Sequence, residues 1–125
     1  MLRLRLGRLD GWNARRREIV ERYAAALPPD AGRFVAREGE DFVAHLAVVV
    51  AEDRERLRAA LEAAGIATDV HYPIPDHRQP AWSGDYADVH LPVTEHAAAH
   101  VLTLPCFPEL RDDEVERVCE VLRGL

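Results

Sequence analysis

Side chains able to do acid, base or hydrogen-bonding chemistry crowd into one stretch of this sequence: His71-Tyr72, then His77-Arg78, set among Pro73, Pro75 and Pro80. An imidazole and a phenol are neutral donors near pH 7, suited to hydroxyls or phosphate oxygens, and histidine also serves readily as an acid or a base. A second pair, His96 and His100, stands four apart, the spacing of one helix face. No carboxylate or cysteine near either pair completes a zinc pattern, so no metal is expected and the helix histidines read as solvated. Cys106 and Cys119 have neither zinc spacing nor disulfide density, and read as small, reduced hydrophobes. No carboxylate pair suggests glycoside hydrolysis. The most consequential observation concerns the cations. All 16 Lys+Arg positions are arginine, so these 125 residues hold no side-chain amine that can form a Schiff base.

The elements that must position these groups follow from periodicity. Leu6, Leu9, Trp12, Ile19 and Tyr23 trace one face of a helix from Leu4 to Leu27, interrupted at Arg16 and stopped by Pro28-Pro29. The Arg15-Arg16-Arg17 run reads as a solvated helix face. A polar segment, Asp30 to Asp41, leads to a β-branched-rich run, Phe42 to Val50, predicted as a strand buried on both faces or nearly so, with His45 a core residue inside it. Asp53 is the predicted N-cap of a helix with Leu57, Ala60, Leu61 and Ala64 inward and Gly65 as its left-handed stop. Ile66 to Tyr72 alternates as a half-exposed strand, with Ile66, Thr68, Val70 and Tyr72 on one side. Pro73 to Pro92 is a long loop without periodicity, the kind of connection that binds or wraps something. Thr94 caps a short helix to His100, Val101 to Leu104 is a strand, and a last helix from Asp112 buries Val115, Val118, Cys119 and Leu122.

This order predicts an α/β (α+β) fold, a two-layer sandwich of a small, mainly antiparallel sheet of three or four strands with helices on one face, preceded by a long N-terminal helix. The length suits one domain with a modest core. A net charge of −6 argues against nucleic acid as a partner. No apolar run is long enough for a membrane helix, and the Leu/Arg alternation at the start is unlike a secretory leader, so a cytoplasmic location and no membrane partner are expected.

Several ordered motifs resemble the DegT/DnrJ/StrS family of pyridoxal-phosphate (PLP) dependent sugar aminotransferases. They are Leu9-Asp10-Gly11-Trp12-Asn13-Ala14-Arg15-Arg16, Arg54 to Leu61 with Gly65-Ile66-Ala67-Thr68, His71 to Ala81, Leu91 to Glu95, and Leu102 to Pro105 with Phe107 to Leu110. The resemblance covers nearly the whole chain and implies the family's C-terminal small domain, with residues 1–28 as a long linking helix and 29–125 as the small domain proper. The family's catalytic lysine and the residues that hold the pyridine ring precede the matched region, so no cofactor is expected on this chain. The resemblance also implies that His71 and Tyr72, with His77 and then Arg78, approach a sugar or its phosphates.

Three functional readings remain open. The first is a binding or interaction module in sugar or natural-product biosynthesis, dimeric through the first helix or complementing a chain that carries the lysine. The second is a PLP-free enzyme doing isomerisation, epimerisation, cyclisation or elimination, with His71 or His77 as acid or base and Tyr72 donating to oxyanion charge. The third is a domain excised from a full-length aminotransferase.

Overall fold

A computed structural model describes residues 2–35, 39, 41–82 and 84–125. The first helix comes in two pieces, α1 (Leu2–Leu6) and α2 (Leu9–Ala26), broken at Gly7-Arg8. Its apolar stripe is buried only from Ile19 onward, where Ile19, Val20, Tyr23 and Ala26 follow helical spacing into the core. Leu6 and Leu9, assigned to the same face by periodicity, stay exposed, as does Leu4. The arginine run is half-buried and engaged rather than solvated. Arg15 reaches Asp112 at 2.7 Å and the Leu110 carbonyl at 2.9 Å, while Arg17 donates to the Phe42 carbonyl at 3.3 Å.

Three strands form an antiparallel sheet in the order β1 (Arg33–Phe34), β2 (Ala47–Val50), β3 (Val101–Leu104). β1 lies inside the segment read as purely polar, because Phe34 is buried and pairs with Val49. Residues 36–38 and 40 of that segment, and Ser83 of the long loop, lie outside the described residues. β2 is shorter than the predicted strand. The backbone at Ala44 takes a left-handed conformation (φ 50°), which breaks extended geometry and leaves His45 exposed at a bend instead of in the core. Within β2, Ala47 and Val49 are buried and Val48 and Val50 are half-buried, so only one face of the strand is fully covered.

The helices supply that cover. α5 (Asp112–Arg123) packs against α2 and α3 (Arg54–Ala63), burying Val115, Val118, Cys119 and Leu122, the four residues its periodicity picks out. The Asp53 carboxylate accepts from the Arg56 N–H at 3.0 Å, and Gly65 ends the segment at φ 73°, as the capping pattern predicts. α4 (Pro92–His100) begins two residues before Thr94. Pro92 occupies its first turn, where a missing N–H costs nothing, and Thr94 caps nothing. The predicted strand 66–72 pairs only at Asp69, which exchanges two backbone hydrogen bonds with Thr103 (3.1 and 2.7 Å). Pairing ends there, so the expected alternation does not reach Tyr72.

Candidate functional site

The end of that bridge delivers His71 and Tyr72 to the rim of a cleft of about 310 Å3 whose other walls are the Ile74–Gln79 loop and Thr94, Ala97, Ala98 and Val101 of the α4–β3 junction. The side chains sit opposite to the alternation pattern. His71 turns inward, with Nδ1 3.0 Å from the Thr103 hydroxyl and Nε2 3.7 Å from Asp69. Tyr72 is 71% exposed, its ring edge-on to the imidazole at 5.3 Å, across a cis peptide bond. The anchor is Thr103, held in the buried strand β3. Tyr72, Asp76 and Thr94 line the same cleft, and their side-chain polar groups make no hydrogen bond among the described residues. They are polar groups free to meet a ligand.

His77 and Arg78 are placed differently. Both turn onto the carboxylate of Glu95, which takes His77 Nε2 at 2.9 Å, Arg78 Nη2 at 3.0 Å and the Leu91 N–H at 3.3 Å. The hydrogen bonds from His77, then Arg78, then the Leu91 backbone hold the Glu95 carboxyl down at about 2, against an ordinary 4.5. Arg78 also donates to the Ala87 carbonyl at 3.3 Å. These contacts tie both ends of the Pro73–Pro92 loop to the first turn of α4. The cleft wall is therefore set by a charged cluster beside it, and His77 and Arg78 are occupied within that cluster.

Glu95 and Thr103 lie within the motifs read from the sequence, but that reading gives neither a role. The signal for Glu95 was its place in the first turn after Leu91-Pro92, where a carboxylate can accept from an unpaired backbone N–H. Thr103 is the polar residue of an otherwise apolar strand. A third unanticipated residue, the carboxylate Glu52, lies 3.5 Å from His96 Nε2 and 3.4 Å from His100 Nε2. Elsewhere the chemistry is muted. Burial pushes the Cys106 thiol up to about 11, and its sulfur lies 3.5 Å from the Ala44 carbonyl, a setting opposed to nucleophilic use. Burial also raises the Tyr23 phenol, whose hydroxyl donates to the Pro105 carbonyl at 3.0 Å.

PLP chemistry of the transaminase kind needs an amine-bearing side chain beside the cofactor and a partner for its ring nitrogen. The cleft residues offer imidazole, phenol, hydroxyl, amide and one carboxylate, and the 125 residues contain no lysine. They do not fit the cofactor.

The profile of the DegT/DnrJ/EryC1/StrS aminotransferase family matches residues 1–123. The chain is 40% identical to a dTDP-3-amino-3,4,6-trideoxy-alpha-D-glucose transaminase of Streptomyces venezuelae, over 98% of its own length and 33% of that protein's. It is 37% identical to a UDP-N-acetyl-3-dehydro-alpha-D-glucosamine 3-aminotransferase of Acidithiobacillus ferrooxidans, again over 98% and 33%. Among solved structures, S. venezuelae DesV in complex with a ketimine intermediate superposes with a TM-score of 0.89 at 38% identity, covering 98% of this chain and 34% of that one. The chain thus spans about a third of the length of the curated relatives it matches.

Proposed function

The chain belongs to the DegT/DnrJ/EryC1/StrS aminotransferase family, and from that membership we propose that these residues form a nucleotide-sugar-contacting and docking domain that does not itself transfer amino groups. The observation that carries the reading is the His71–Tyr72 cleft. An inward imidazole fixed by Thr103 stands beside an exposed phenol, with unengaged hydroxyl and carboxylate groups around them. Relatives named for dTDP-linked and UDP-linked sugars support a sugar nucleotide as the ligand class. Residues 1–28 serve as the linking helix and 29–125 as the small domain.

Docking is supported by exposed apolar surface. Leu4, Leu6 and Leu9 project from the first two helices, and the half-buried Val48 and Val50 line a second cleft with Phe42 and Leu46 on the sheet face away from α5. A second copy or a lysine-bearing chain fits such surfaces. The acid–base alternative has less support, because Glu95 is held ionised and engages His77.

Calorimetric titration with UDP- and dTDP-hexoses tests the reading. Saturable binding that weakens about tenfold in His71→Ala, the loss of one hydrogen bond to a charged group, is expected. Absence of binding to either nucleotide class overturns the ligand assignment, and amino transfer by these 125 residues with added PLP overturns the non-transaminase assignment.

A further inference from the structure

The cluster of Glu52, His96 and His100 lies outside the His71 cleft. Each residue offers one ligand atom, and the three atoms fall within 4.8 Å of one another, the one such group of three among the described residues. We propose that it is a binding site for a divalent cation of the zinc class, joining α4 to the turn between β2 and α3.

Four observations carry this. First, the two imidazoles present Nε2 to the two oxygens of one carboxylate at 3.5 and 3.4 Å. Those separations are too long for direct hydrogen bonds and leave room for an ion between the imidazole nitrogens and one carboxylate oxygen, which zinc holds at about 2.0–2.1 Å. Second, the rings stack at 4.0 Å and 25°, which keeps the two imidazoles side by side, each with Nε2 near Glu52. Third, His100 Nδ1 lies 2.7 Å from the His96 carbonyl. In the neutral ring this bond takes the Nδ1 proton and leaves Nε2 as the lone-pair donor, the outer-sphere contact typical of metal-bound histidine. Fourth, the spacing is preset by the backbone: the Ala51 N–H donates to the His100 carbonyl at 3.0 Å, and Arg54 donates to the Ala98 carbonyl at 3.2 Å. Glu52 lies between those two anchors.

Two imidazoles and a carboxylate suit zinc, or copper and nickel, over magnesium or calcium, which prefer all-oxygen shells. Glu52 and His96 are exposed, so the fourth position opens to water or to a ligand atom from a docking partner.

The test titrates the whole chain, free of any histidine tag, with Zn2+ by calorimetry and with Co2+ by visible absorption. One equivalent of each metal is expected to bind, with the intense visible bands of tetrahedral cobalt. Affinity is expected to fall at least about tenfold in His96→Ala and in His100→Ala, since losing even an outer-sphere partner commonly costs that much. His45→Ala, which changes an exposed histidine elsewhere, leaves it unchanged. Absence of saturable one-to-one binding, His96→Ala binding as tightly as the parent, or His45→Ala weakening binding equally would overturn the proposal.

Discussion

Two concave regions divide this small molecule between them. The broad groove between α5 and the end of α3 encloses about 1030 Å3, and the cleft at His71 about 310 Å3. Volume alone selects the groove, but its charges, Glu120 apart, already have partners. Arg111 holds Asp113 at 2.9 Å and Glu114 at 3.1 Å, Arg117 donates twice to the Ala64 carbonyl, and Arg123 holds Glu116 at 2.8 Å. Its floor is the core itself, since Val118 and Leu110 are buried. The cleft has the reverse character. Its polar groups are few but available, and the fixed charges of Glu95 and Arg78 stand behind it to position the loop. A site for ligand is marked by unspent hydrogen-bonding capacity on a rigid support, and size says little about it.

The contrast can be broken most forcefully at the core. Leu122→Ala, on the buried face of α5, is expected to cost about 2–5 kcal/mol in urea denaturation. Tyr72→Ala, at the cleft rim, should stay within about 0.5 kcal/mol of the parent, as exposed positions usually do. Equal losses would mean that Tyr72 is structural. In ligand binding the order inverts: Tyr72→Ala and His71→Ala weaken nucleotide-sugar affinity about tenfold, and Arg117→Ala, in the groove, leaves it unchanged.

The smallest expected effect concerns Glu95. Its carboxyl carbon, followed by NMR, should titrate at about 2. His77→Ala moves the midpoint up furthest and Arg78→Ala less, because the His77 hydrogen bond is the largest cause of the shift. A carboxyl whose folded-state value is depressed contributes stability that is complete above its ordinary 4.5 and is lost as pH falls through about 2. Protection of the Arg78 and Gln79 amides, which donate to Pro75 and Asp76, relative to their intrinsic exchange rates at each pH, should fall over that window. A midpoint at the ordinary value would remove the charged support from this picture.

Much of the groove side was legible in the chain. The spacing of Val115, Val118, Cys119 and Leu122, the Asp53 cap and the Gly65 stop are local signals, and local signals survive folding. The cleft side was only half legible. Alternation through Ile66–Tyr72 put Tyr72 on the side of Ile66 and His71 on the other, whereas pairing ends at Asp69 and His71 turns to Thr103, 32 residues away in sequence. The Phe42–Val50 run reads as one strand until the left-handed Ala44 divides it, a backbone state that alanine does not announce. Glu95 and Glu52 were missed for the same reason: Glu95 meets His77 across 18 residues and Glu52 meets His96 across 44, distances over which residue spacing carries no information.

The most direct measurement is a map of amide chemical shifts while a UDP- or dTDP-hexose is added to the chain. The account expects the largest changes at His71, Tyr72, Asp76 and Gln79 and at Thr94 to Val101, with α5 still. Changes confined to Gly65, Arg111, Glu114 and Arg117 would put the ligand in the groove and contradict it.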